Sequence, residues 1–113
     1  MKIGVTSQNF RTITGHAGKT RRFLIYSENE AGIWAESERL DLPKEMSMHE
    51  FRGEIHPIEA VDVLITSGCG QGFINKMSSR GVKVVATSET DPLSAIQLYL
   101  SGEHLPPPTP HQH

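Results

Sequence analysis

The chain has 113 residues, enough for one domain, and carries a formal net charge of −2 with a pI of about 6.3. This balance lacks the basic stripe needed to bind nucleic acid or anionic lipid, so both classes of partner are excluded. The single cysteine excludes an internal disulfide and is typical of a reducing compartment. No signal peptide or membrane-length apolar run is evident, and we expect a cytoplasmic protein.

The first half of the chain predicts strands that pair antiparallel. Residues 3–6 form an apolar strand, which leads into a loop containing residues 15–18. Residues 22–26 are rich in β-forming types, and residues 33–42 alternate apolar and polar side chains after a polar turn. The last two segments predict a β-hairpin. Pro43 ends it because proline cannot donate a hydrogen bond to a β-ladder.

The second half predicts strands that alternate with helices. Residues 44–51 favour a short helix. Residues 61–66 are a continuous apolar run, typical of a strand covered on both faces. Residues 70–79 have helical periodicity, and Gly81 is placed to end that helix. Residues 82–86 predict the next buried strand.

A last helix is predicted near the end of the chain. Ser88 or Thr90 is expected to cap its N-terminus, with Pro92 in the first turn. The positions expected to be buried are Leu93, Ile96, Leu98 and Leu100. Gly102 is expected to close the helix.

The order of these elements predicts the fold class. A β-α-β-α run requires parallel neighbouring strands, whereas the hairpin is antiparallel, so the sheet is mixed and flanked by helices. This is the order of a reduced ribonuclease H-like domain, a three-layer α/β fold. We expect that domain to span residues 1–105, followed by a proline-rich flexible tail over residues 106–113.

Two glycine-rich loops carry the residues that are the best candidates for binding a metal or an anion. His16 lies between two glycines, and a neutral imidazole can bind iron, molybdenum or zinc. Cys69 follows the strong apolar strand and precedes a helix, whose N-terminus would favour the thiolate. The glycines near Cys69 expose N–H groups that can bind an anion. The candidate cofactor-binding residues are Gly15, His16, Gly18, His56, Gly68, Cys69, Gly70 and Gly72, with His16 and Cys69 as metal ligands.

Each of these residues also has a purely structural interpretation. His16 can be a loop histidine that bonds the backbone of its own turn, and Cys69 an inert residue in a tight strand-to-helix turn. His56 precedes a proline and the apolar strand. It can reach the same end of the sheet as the two loops, or it can be a partly buried polar residue of a connection.

The order and spacing of several motifs resemble the dinitrogenase iron–molybdenum cofactor biosynthesis family. The resemblance runs over nearly the whole chain to about residue 105. It is carried by the opening strand, Gly15-His16-x-Gly18, residues 23–26, His56-Pro57, residues 62–73, residues 81–85 and residues 87–99.

The resemblance implies a ribonuclease H-like domain that binds or carries precursors of iron–sulfur or iron–molybdenum cofactors. It makes His16 the favoured cluster ligand, and Gly68 and Gly70 match glycines that follow the central strand of the family. Ala17 departs from the usual phenylalanine, which removes one wall of the implied pocket. Cys69 stands where many members have a residue that binds no metal, and it is either an additional ligand or a small apolar residue.

The leading interpretation is therefore a carrier of a metallocluster or its precursor during nitrogen fixation-related cofactor assembly, with no catalytic residue. Its partners are the cluster and a cofactor-assembly or acceptor protein, and it is a monomer or weak homodimer. One alternative is a regulatory or interaction module that binds no cluster. Another is a redox or transfer enzyme based on Cys69, which needs a lowered thiol pKa and a nearby base such as His16 or His56. A nuclease needs several carboxylates around its metals, and the first strand carries none.

Overall fold

A computed structural model describes residues 1–48, 50–51 and 55–108. Within these residues the chain forms a mixed five-stranded sheet with two α-helices and two single turns of 3₁₀ helix. The strands are β1 (Lys2–Thr6), β2 (Arg22–Glu28), β3 (Trp34–Asp41), β4 (Val63–Thr66) and β5 (Lys83–Ala86). The helices are α1 (Gln71–Ser79) and α2 (Pro92–Leu100), and the 3₁₀ turns are Lys44–Met46 and Pro57–Ala60.

The strand order β3-β2-β1-β4-β5 places the first strand at the centre of the sheet. β1 pairs antiparallel with β2, and β2 pairs antiparallel with β3, as the hairpin pattern predicts. β1 pairs parallel with β4, and β4 pairs parallel with β5. The mixed sheet expected from the sequence is confirmed.

Successive side chains of each strand point to opposite faces, so the sheet separates two apolar clusters. On one face, Ile3 and Ile65 pack with Ile96 of α2. On the other face, Leu64 packs with Ile58 and with Met77 of α1. Each helix thus covers one face of the sheet.

Two local expectations for the last helix are wrong. Its cap is Asp91, whose carboxylate accepts a hydrogen bond from the N–H of Ser94 at 2.8 Å, rather than Ser88 or Thr90. Pro92 is the first helical residue, which leaves Asp91 in the capping position. Leu100 is 40% exposed because it lies at the last position of the helix, beyond the edge of the apolar cluster.

The helix expected over residues 44–51 is limited to one 3₁₀ turn. Ser47 has extended dihedral angles (φ −65°, ψ 149°), which end the turn after Met46. Residue 49 lies outside the described residues.

The segment after α2 returns to the sheet. Leu105 packs against the first apolar cluster. The carbonyl oxygen of Pro106 accepts hydrogen bonds from the hydroxyl of Thr87 at 2.7 Å and from the N–H of Ser88 at 3.2 Å. The rest of the predicted tail, residues 109–113, lies outside the described residues. No helix in the described part of the chain is both long enough and apolar enough to cross a bilayer.

Candidate functional site

The two glycine-rich loops lie together at the end of the sheet where β1 and β4 finish. Because these strands are parallel neighbours, the loops that follow them leave from the same edge, a common place for ligand sites in α/β proteins. The N–H of Ser67 donates to the carbonyl oxygen of Thr14 at 3.1 Å. The N–H of Ala17 donates to the carbonyl oxygen of Gly68 at 3.3 Å. The His16 loop is therefore hydrogen-bonded directly to the loop that carries Cys69.

Two buried threonines hold this junction. Thr6 and Thr66 are the last residues of β1 and β4, and their hydroxyl oxygens are 2.8 Å apart. Both hydroxyls approach the carbonyl oxygen of Thr14, at 2.5 Å from Thr6 and 3.2 Å from Thr66. Both side chains are fully buried. Sequence reasoning missed this pair, although a threonine at the last position of each of two parallel strands was a usable signal.

Gly15 lies close to the loop that carries Cys69. A Cβ at this position would lie 3.1 Å from the Ser67 hydroxyl oxygen, a tight contact that would require the serine side chain to shift by a few tenths of an ångström. Ala17 is fully buried beside the same junction. Its methyl group therefore packs inside the protein rather than forming an exposed wall.

His16 adopts a left-handed backbone conformation, with φ of 52°. This conformation is uncommon for a residue with a side chain and concentrates at functional loops. Its carbonyl oxygen accepts from the N–H groups of Lys19 at 2.9 Å and Thr20 at 3.1 Å, which closes the turn. The side chain is exposed. His16 lines a cavity of about 360 Å³ together with Gln8, Thr14, Gly15, Lys19 and Thr20.

Cys69 is partly buried, and burial raises the pKa of its thiol. The N-terminus of α1 was expected to favour the thiolate, whereas burial acts in the opposite direction on the pKa of this thiol. A protonated thiol must lose its proton before it binds a metal.

The N-terminus of α1 is open. Its N-cap is Gly70, which offers no side-chain acceptor to the first-turn N–H groups. Gly18 and Gly72 both line a second cavity of about 220 Å³, together with Met48, Phe73 and Lys76. Residues from both glycine-rich loops therefore border a space beside the start of α1.

His56 lies in the apolar interior and is 1% exposed. Its Nδ1 accepts from the N–H of Ile58 at 3.0 Å, and its Nε2 is hydrogen-bonded to the carbonyl oxygen of Met46. The ring packs edge-to-face against Phe51, with centroids 4.9 Å apart. Burial lowers the pKa of His56. Both ring nitrogens serve the fold, so we leave His56 out of the proposed ligand set.

The donor set for a metal is small. Among residues 1–48, 50–51 and 55–108, histidine, cysteine, aspartate and glutamate side chains form no group of three or more that could hold a metal ion. A cluster at the junction of the two loops would have at most His16 and Cys69 as side-chain ligands from this set.

Comparison with known proteins identifies the family. The sequence model of the dinitrogenase iron-molybdenum cofactor family matches residues 1–102. The crystal structure of PH0822 is similar, with a TM-score of 0.67 and 18% identity over 91% of this chain and 93% of that one. So is the NMR structure of TM1290, a candidate NifB protein from Thermotoga that belongs to the DUF35 family. It has a TM-score of 0.58 and 16% identity over 99% of this chain and 97% of that one.

At these identities the two structures support the fold alone. No curated protein matches the sequence. The family match covers most of the chain and agrees with the resemblance carried by the sequence motifs. The chain therefore belongs to the dinitrogenase iron-molybdenum cofactor family.

Proposed function

We propose that this protein is a carrier that binds an iron–sulfur or iron–molybdenum type cluster, or its precursor, and passes it to a cofactor-assembly or acceptor protein. The observation that carries the proposal is the direct docking of the His16 loop on the Cys69 loop, through the hydrogen bond from Ala17 to Gly68. Docking brings together two loops that offer an imidazole and a thiol. Family membership favours a cargo of this class.

The chemistry of the junction suits a cargo rich in metal and sulfide. Imidazole and thiolate are ligands that iron accepts readily. The first-turn N–H groups of α1 have no side-chain cap, and N–H groups at a helix N-terminus favour negative charge, such as that on cluster sulfides. Two side-chain ligands leave most metal positions to sulfide or external ligands, which favours release to an acceptor.

The raised pKa of the Cys69 thiol favours a carrier over a cysteine-based enzyme. A redox or transfer enzyme needs a nucleophilic thiolate near neutral pH, whereas burial raises the pKa of this thiol. A metal can displace the thiol proton as it binds, because metal binding and proton release are coupled. This supports a non-catalytic role.

The architecture supports a finer statement of the fold. We infer a reduced ribonuclease H-like domain from the order β3-β2-β1-β4-β5, the antiparallel β2 and the coverage of both sheet faces. We propose residues 1–105 as this domain and residues 106–113 as its tail. A cytoplasmic location is favoured by the single free cysteine.

Anaerobic reconstitution with ferrous iron and sulfide tests the proposal. The full chain should acquire a cluster absorbance, and the double variant His16→Ala/Cys69→Ala should bind at least about tenfold more weakly. His104→Ala is the matched control, since His104 is exposed in the segment after α2 and lies in neither loop. Equal uptake by the double variant and the wild type would refute the carrier role of this junction.

A further inference from the structure

We propose that the cavity beside the His16 loop is a binding site for a phosphate-class tetrahedral oxyanion, recognised by Gln8, Thr14 and Lys19. The cavity has a volume of about 360 Å³ and opens to solvent at the end of β1. Its lining residues are Gln8, Thr14, Gly15, His16, Lys19 and Thr20, none of which carries a carboxylate. The cavity shares His16 with the proposed cluster site, but the argument rests on Gln8, Thr14 and Lys19 and does not need the carrier function.

One hydrogen bond orients the side-chain amide of Gln8. Its Oε1 accepts from the N–H of Arg21 at 3.2 Å, so the amide oxygen is already used. The NH₂ group carries two donors. Within the part of the chain that the structure describes, neither donor has an acceptor.

The hydroxyl oxygen of Thr14, like the amide oxygen of Gln8, already accepts a hydrogen bond from a backbone N–H. Its Oγ1 accepts from the backbone N–H of Gln8 at 3.0 Å. A hydroxyl that accepts one bond still has its proton to donate. Among the described residues this proton has no acceptor, so Thr14 and Gln8 both present donors to one cavity.

Lys19 supplies the charge. Its ammonium group makes no ion pair or hydrogen bond with the described residues, and its side chain lines the same cavity. The neighbouring Arg22 is already paired with Asp41, at 3.2 Å. No carboxylate lines the cavity, and the positive charge of Lys19 there favours an anion.

These groups together select the class of ligand. An apolar molecule would leave several donors without partners, and a metal cation would be repelled by Lys19. A multiply charged oxyanion accepts several hydrogen bonds from different directions, which matches an amide, a hydroxyl and an ammonium around one space. Such an ion can be free or can be the phosphate of a larger molecule.

Calorimetric titration of the cluster-free full chain at low salt, with inorganic phosphate and with sulfate, tests the site. We expect saturable binding that weakens at least about tenfold in Lys19→Met and in Gln8→Glu. Gln8→Glu keeps the acceptor for the N–H of Arg21 but replaces the donors with a negative charge, so the loop is retained. Lys44→Met is the matched control, because Lys44 is an exposed lysine outside the cavity.

The result that overturns the proposal is either no saturable binding or equal binding by the wild type and both cavity variants. A parallel titration with glycerol phosphate separates the two sources of the anion. Binding of inorganic phosphate alone supports a free ion, and equal or tighter binding of the ester supports the phosphate of a larger molecule. Because the titration uses the chain without a cluster and the variants are at Lys19 and Gln8, its result and that of the cluster reconstitution are separate.

Discussion

Two histidines of this chain lie in regions that use their polar groups in opposite ways. His56 is buried, and backbone partners occupy both of its ring nitrogens. His16 is exposed on a left-handed turn that lines a cavity. In the region around His56, the ring nitrogens are hydrogen-bonded within the protein and stabilise the fold. In the second region, the amide of Gln8 and the hydroxyl of Thr14 keep donors that have no acceptor among the described residues and can serve a ligand.

The two α-helices show the same contrast. Each follows a parallel strand of the sheet, and each begins with N–H groups that need acceptors. Asp91 satisfies such a group at α2 through its bond to Ser94. Gly70 has no side chain to do so at α1. The helix beside the two glycine-rich loops is thus the one whose N-terminus stays available.

The largest expected effect comes from removing the buried imidazole. His56→Ala leaves the N–H of Ile58 and the carbonyl oxygen of Met46 without partners and creates a void beside Phe51. We expect a loss of about 3 kcal/mol in the free energy of unfolding. Urea denaturation measures it.

His16→Ala is the control for this comparison. The side chain of His16 is exposed, so its removal should cost about 1 kcal/mol or less in the free energy of unfolding. If the two variants lose similar amounts of unfolding free energy, then His16 stabilises the fold as much as His56 does, and the proposed difference between them is wrong.

The second prediction concerns pH. The ordinary pKa of histidine is 6.5, and burial lowers the pKa of His56 in the native state. At pH values between the native-state pKa of His56 and 6.5, the unfolded chain binds a proton that the native state does not. Stability is therefore complete above pH 6.5 and falls as the pH drops through the native pKa. Glu59 also has a lowered pKa, but its loss of stability begins below its ordinary value of 4.5.

Denaturant unfolding at a series of pH values from about 8 to about 5 separates the two windows. The wild type should lose stability over this range. His56→Gln cannot titrate, and its curve should be flatter. A slope in His56→Gln equal to that of the wild type would assign the effect to other groups.

The sequence predicted the sheet well because apolar periodicity reports burial. The continuous run at β4 indicated a strand covered on both faces, and its side chains are all buried. Alternation and a polar turn were enough to indicate the β2–β3 hairpin. Helix ends were harder. Asp91 caps α2 because Pro92 fixes the first helical residue, and several nearby polar residues compete for that position.

The candidate site was predictable only in part. The glycines and His16 stand out by residue type, but the role of Gln8 depends on the orientation of its amide, which the N–H of Arg21 fixes through a tertiary contact. The same is true of Cys69. Its position before a helix suggested a lowered thiol pKa, whereas its burial, which only the packed structure reveals, raises it.

The contrast between the helix ends gives the third prediction. Asp91→Ala removes the side-chain acceptor of the Ser94 N–H. The expected loss is about 1 kcal/mol in the free energy of unfolding. Asp91→Asn is the control, because it keeps an acceptor and should lose less. Cluster uptake should be unchanged in both variants, since this cap belongs to α2, and reduced uptake would show that the two helix ends are not independent.

The smallest effect on stability, and the sharpest test of the open helix end, comes from giving α1 the cap it lacks. Gly70 has extended dihedral angles (φ −87°, ψ 166°) that any residue adopts, and a Cβ there meets no atom within 4 Å. Gly70→Asn and Gly70→Asp should each raise the free energy of unfolding by a few tenths of a kcal/mol, because their oxygens accept from first-turn N–H groups. Both variants should also weaken cluster uptake, since the first-turn N–H groups are then occupied by the new side chain.

Gly70→Asp should weaken uptake more than Gly70→Asn, because its charge repels an anionic cargo. Uptake equal to that of the wild type in both variants would show that the N–H groups of α1 take no part in binding, and would leave His16 and Cys69 as the only proposed contacts.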